Sequence, residues 1–164
     1  MDLVEITSAR NDVEIDLVYA TEQNFTGKPV YRTATCLLHR DGLEALDRAV
    51  VLARALGLRF RIFDALRPGE AQWKLWSHSP DLEFLSDPRR GSPHSRGVAI
   101  DLTLVDPDGR TLDMGTEFDS FTPFSHHGNL DVGAEAQRNR ALLQVLPRAG
   151  SVHAMRPIAV DVGV

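Results

Sequence analysis

The sequence predicts an α+β fold, a single domain in which an antiparallel sheet is backed by helices. Three observations carry this prediction. Short segments at residues 13–19, 58–63 and 99–105 show either strict alternation or continuous apolarity, the two patterns of strands. Residues 41–57 and 133–146 instead carry apolar side chains at helical spacing. The turn Asp106-Pro107-Asp108-Gly109 follows one of the strands directly and sets up a hairpin partner, which makes the sheet antiparallel. A chain of 164 residues suits one domain, and no repeat, low-complexity tract or linker divides it.

Taken in order, residues 13–19 alternate apolar and charged side chains, as a half-buried strand does. Residues 24–29 are rich in turn formers and read as a loop. A helix starts at Asp41, with Glu44 as its capping partner, Leu43, Leu46, Val50 and Ala53 as one stripe, and Gly57 as its stop. Residues 58–63 alternate apolar and basic residues and form a second strand. Pro68 opens the next helix, through Trp73 and Trp76, because a proline's missing N–H costs nothing at the first position. Residues 77–93 read as a long loop with one short helical piece at 82–85. A third strand spans residues 99–105. The last helix, 133–146, places Gln137, Arg138, Asn139 and Arg140 on its polar side and is ended by Pro147.

Bulk properties narrow the function. Apolar content of 43% and charged content of 25% are those of a soluble globular domain. A net charge of −5 speaks against a phosphate-binding surface, so no nucleic-acid partner is expected. Neither an apolar stretch long enough to span a membrane nor a basic leader is visible, so no membrane association or secretion is expected. Cys36 is the sole cysteine and cannot close an internal disulfide, which suits a reducing cytoplasm.

The segment Ser92-Pro-His-Ser-Arg-Gly-Val-Ala-Ile-Asp101 concentrates the chemistry. His94 leaves a loop, Gly97 turns the chain, and Asp101 interrupts an apolar strand. A carboxylate in such a strand is costly unless it is paired or bound to a metal, and imidazole with carboxylate is a metal-ligating combination. On spacing alone the two also read as a loop hydrogen-bonder and a strand-edge cap. Arg67 precedes Pro68, which biases it toward an extended backbone able to aim the guanidinium into a cleft; the plainer reading is a surface ion pair.

Residues 91–104, Gly-Ser-Pro-His-Ser-Arg-Gly-Val-Ala-Ile-Asp-Leu-Thr-Leu, resemble the signature of the VanX-type D-alanyl-D-alanine dipeptidases, zinc peptidases of the cytoplasm. The resemblance runs from about residue 17 to about residue 150, with Pro93 replacing a commonly small polar residue. It implies Zn2+ as cofactor, with His94 and Asp101 among its ligands, and free D-alanyl-D-alanine as substrate. It further implies that Arg67 stabilises the oxyanion, that Tyr19 and Asp119 hold the dipeptide's amino end, and that Ser92 lines the pocket for its carboxylate. Taken singly, those last three residues read as a strand-end aromatic, a turn cap and a loop hydroxyl.

The resemblance stops near residue 151. The family's Glu-Trp-Trp-His motif, which supplies a general base and a third zinc ligand, is missing, and no glutamate follows Glu135. His153 and Asp161 are the only tail residues able to ligate zinc. Two readings stay open: a tail out of frame or truncated relative to an active relative, which leaves a damaged enzyme or a mere dipeptide binder; or recruitment of His153 as third ligand. The first is the expectation, with residues 1–164 forming one dipeptidase-like domain divergent from about 151.

Overall fold

In this computed structural model, which describes residues 2–151 and the backbone of 159–161, helices and two small sheets make a mixed α+β fold. The elements in chain order are β1 (Leu3–Glu5), α1 (Ser8–Asn11), β2 (Glu14–Ile15), β3 (Leu37–His39), α2 (Arg40–Ala55), β4 (Arg59–Asp64), α3 (Gly69–His78), β5 (Ala99–Val105), α4 (Ala134–Ser151) and β6 (Ala159–Asp161). Single 3-10 turns lie at Val18–Ala20, His94–Arg96 and Pro123–Ser125. The main sheet runs β2-β4-β5-β6. Its central pair is antiparallel, as expected, while the outer strands join in parallel. β1 and β3 form a separate antiparallel pair.

β4 forms because Arg59-Phe-Arg-Ile alternates. Phe60 and Ile62 enter the core, while Arg59 and Arg61 reach Glu14 on β2 at 2.6 and 2.7 Å. β5 is buried along its whole length, which explains its nearly continuous apolar run. The predicted stripe of α2, Leu43, Leu46, Val50 and Ala53, is buried and packs with Leu143 and Leu146 of α4 over Ile62, Leu102 and Leu104. A second apolar cluster gathers Tyr19, Val30, Ala71, Leu75 and Leu85, with Phe118 and Phe121 against it.

Four local expectations change. Residues 13–19 are not one strand, because only Glu14 and Ile15 pair with β4. The chain then coils so that Tyr19 is buried, with its carbonyl accepting from the Val30 and Tyr31 amides. The hairpin after Gly109 shrinks to one bridge, Val105 to Thr111, because the Asp113 side chain accepts from the Gly115 amide and Gly115, at φ 83°, turns the chain away. Residues 82–85 form one turn closed by Leu85 N–H to Asp81. Helix α4 passes through Pro147, since packing of Leu143 and Leu146 outweighs one lost backbone bond.

Gly97 joins the His94 turn to β5. It sits at φ 67°, and a Cβ there would stand 2.7 Å from Leu3 Cδ2. Gly97→Ala should therefore cost about 1–3 kcal/mol in a denaturant titration, from left-handed backbone strain plus crowding. An unchanged midpoint would show that the turn relaxes freely.

Candidate active site

The strand ladder explains how two buried acids come together. β4 and β5 pair Arg61 with Thr103 and Ile62 with Leu102, then the register shifts and Asp64 faces Asp101. Regular pairing would have set Phe63 there. This bulge gives β4 one extra residue, a device that re-aims side chains. Asp64 is wholly buried and Asp101 nearly so.

Arg67 answers both charges. Its Nε donates to Asp64 at 2.8 Å, Nη2 to Asp101 at 3.1 Å and Nη1 to the Gln72 side chain at 3.1 Å. The guanidinium also lies 4.9 Å from the centre of the Tyr19 ring. Burial works against its charge, but Asp64 above all holds its pKa well above the usual value. Asp64 accepts from the Tyr31 hydroxyl on its other oxygen. Burial pushes the Asp64 carboxyl upward, against the pull of Arg67.

His94 is buried on the 3-10 turn, with Nδ1 2.8 Å from the Ala65 carbonyl. That contact assigns the proton to Nδ1 and turns a lone pair on Nε2 toward Asp101 Oδ1, 3.2 Å away. Neither of these two buried atoms has a hydrogen-bond partner. Burial disfavours a proton on the imidazole, but the Asp101 carboxylate outweighs it and raises the pKa. Two lone pairs facing one another in a buried site repel unless a proton or a cation lies between them. Among the described residues, Asp64, His94 and Asp101 bring ligand atoms within 4.8 Å of one another. Both Asp64 oxygens are already engaged, so His94 Nε2 and Asp101 Oδ1 are the donors that fit a divalent metal.

Asp119 adopts φ 58°, a left-handed conformation that aspartate tolerates better than most residues. The Tyr19 hydroxyl donates to its Oδ1 at 2.9 Å, and its buried Oδ2 has no partner. Tyr19, Arg67, Asp101 and Asp119 share the wall of a cavity of about 220 Å³ with Phe84, Phe118, His126 and His127. Cavities for drug-sized ligands are larger, roughly 300–1,000 Å³, so this one suits a very small molecule.

Of the six residues singled out in the sequence, four thus line one cavity and His94 stands against Asp101. Ser92 is set back: it is buried, and its hydroxyl accepts from the His94 backbone N–H at 3.2 Å, so it holds the turn. Sequence reasoning missed Asp64, Tyr31 and Gln72. It also placed Arg140 on a polar surface, whereas the side chain is buried and donates to the carbonyls of Met114, Phe124 and His126. Those bonds tie down the segment that carries Asp119. His153 lies outside the described residues.

Burial pushes the Asp119 carboxyl from 3.8 up to about 7. The native state therefore keeps this proton to higher pH than the unfolded chain, and native stability falls as pH rises between those values. Asp119→Asn, which stays neutral, should exceed the parent in stability at pH 8 by on the order of 1–3 kcal/mol, with no gain near pH 4. Denaturant titrations of metal-free protein at both pH values test this. A difference independent of pH would refute it.

A buried imidazole and carboxylate with facing lone pairs, beside a fixed guanidinium at a small cavity, is the kind of site that metal-dependent hydrolases use. The profile of a family described as D-ala-D-ala dipeptidase matches residues 1–156. The chain is 45% identical over 149 residues to a D-alanyl-D-alanine dipeptidase of Escherichia coli, covering 91% of this chain and 77% of that protein. It is 34% identical over 160 residues to one of Enterococcus faecalis, covering 84% and 79%. A Streptomyces coelicolor dipeptidase is 32% identical over 171 residues, covering 91% and 85%. The chain belongs to the D-ala-D-ala dipeptidase family.

Proposed function

We propose that this chain is a zinc-dependent peptidase acting on free D-alanyl-D-alanine, with turnover below that of a complete family site. The observation that carries the reading is the orphaned pair, His94 Nε2 and Asp101 Oδ1, held 3.2 Å apart beside Arg67. Zinc held by this pair would supply Lewis-acid polarisation of the peptide carbonyl. The chain's own residues do the rest. Asp119, with Tyr19 bonded to it, takes the substrate ammonium on its unpartnered oxygen. Arg67 stabilises charge developing on the carbonyl oxygen, since its five N–H groups exceed the contacts it already makes. Ser92 fixes the His94 turn, and the family resemblance is what supports a role for it toward the substrate carboxylate. The lone, buried Cys36 suits a cytoplasmic setting.

Reduced turnover follows from the tail. Residues 136–164 hold no glutamate for the role that the family's final motif gives one, and a positioned base contributes about 10²–10⁴ in rate. The same observation favours a second reading, a dipeptide-binding homologue without turnover. The backbone of β6 sets Asp161 in register with Asp101, which makes it, with His153, a tail candidate for a further ligand. We read residues 1–164 as one dipeptidase-like domain that diverges from about 151.

Metal analysis of the purified protein, paired with an assay for released D-alanine, tests these readings. Stoichiometric zinc with release above the buffer rate supports the enzyme. Dipeptide binding without release supports the binder. Protein that takes up neither zinc nor dipeptide overturns both.

A further inference from the structure

A second cavity, of about 620 Å³, opens on the same face of the sheet as the first. Thr103 in its wall lies two residues along β5 from Asp101, and Arg61 pairs with Thr103 from β4. Among the described residues, Phe118 alone lines both cavities. Its ring packs on Phe63 with centroids 4.5 Å apart and leans on Tyr19 at 6.2 Å. The next residue in the chain is Asp119, bonded to Tyr19. The aromatic pair therefore stands at the end of the first cavity where a substrate ammonium would be read.

The far side of this wall is chemically distinct. Asp16, Asp113 and Glu117 are exposed along it, and the buried hydroxyls of Thr103 and Thr116 lack partners. Arg61 also borders it, but its guanidinium is already engaged by Glu14, Thr111 and the Gly109 carbonyl. The charge left for a ligand is negative.

We propose that Phe118, backed by Phe63, is the partition that stops a peptide from extending past the dipeptide on its amino side, and that the cavity behind it is a closed-off subsite for a cationic residue there. The inference rests on the dipeptide reading above. A third residue added on the amino side extends from the dipeptide nitrogen that Asp119 and Tyr19 hold. Extension turns that ammonium into a neutral amide, which forfeits its pairing with Asp119, and drives the added atoms into the Phe118 ring. Without the ring, the two cavities join, and a lysine side chain would meet the three acids.

Calorimetric titration with D-alanyl-D-alanine and with L-lysyl-D-alanyl-D-alanine tests this on the parent protein, Phe118→Ala and the milder Phe118→Leu. The parent should prefer the dipeptide by at least about tenfold, the size of effect a steric pocket wall produces. Phe118→Ala should narrow that preference by roughly tenfold or more, and Phe118→Leu should shift it less but in the same direction. If circular dichroism shows the alanine variant unfolded, the leucine variant decides. A folded variant that keeps the parent's preference overturns the partition and leaves the dipeptide reading intact, as does a parent that binds both peptides equally. A parent that binds neither overturns the dipeptide reading, and the partition with it.

Discussion

Replacing Arg67 with methionine should cost about 3–5 kcal/mol of stability, the penalty for leaving buried carboxylates without their counter-charge. The guanidinium bridges Asp64 and Asp101, both buried, so its loss leaves two acids side by side in the sheet with no cation between them. The double variant Arg67→Met with Asp64→Asn should recover part of this loss, because one of the stranded charges is then gone. Urea titrations of the parent, both single variants and the double variant give the coupling directly. Additive effects would show that Arg67 and Asp64 do not depend on one another. Any D-alanine release should vanish in Arg67→Met, even under conditions where the variant remains folded.

The second large effect concerns metal. His94→Ala should weaken zinc binding by at least about 100-fold, more than the loss typical when a residue behind a ligand is removed. Asp101→Asn should act similarly, since it replaces the unpartnered oxygen that faces the imidazole. Competition against a coloured chelator measures both. His126→Ala serves as the control: His126 lines the cavity but is bonded to Glu83 at 2.7 Å, so zinc affinity should not change. Zinc binding that survives His94→Ala would place the metal elsewhere, and the functional reading would go with it.

Much of the scaffold was legible because its signals are local. The stripe of α2, the proline opening α3 and the apolar run of β5 each follow from spacing within about ten residues, and all three form where expected. What failed depended on distant partners. Residues 13–19 carry a strand's alternation, yet burial of Tyr19 against Asp119, a hundred positions away, bends the chain after Ile15. Arg140 sits in a polar stretch, and only the folded 114–126 segment, with three carbonyls turned toward it, makes its burial tolerable.

The site divides in the same way. His94 and Asp101 stood out as a polar pair at a strand entry, but the family resemblance was needed to favour a site over a cap, and it alone gave Arg67, Tyr19 and Asp119 their roles. Asp64 had a signal that went unused: it is an acid at the end of an alternating strand whose earlier even positions, Phe60 and Ile62, enter the core. Tyr31 and Gln72 had none, since each gains meaning only from the side chain it meets.

The irregularity in β4 has an evolutionary corollary. One surplus residue sets Asp64 beside Asp101 and, in the same stroke, leaves Phe63 free to buttress Phe118. On the reading proposed above, metal binding and substrate length would both be yoked to this single kink. A deletion that smoothed the strand would disturb both together, so a lineage could not widen its diet by that route without also risking its reactivity. On that reading, a change at Phe118, on the neighbouring loop, would relax the length limit while leaving the paired acids untouched.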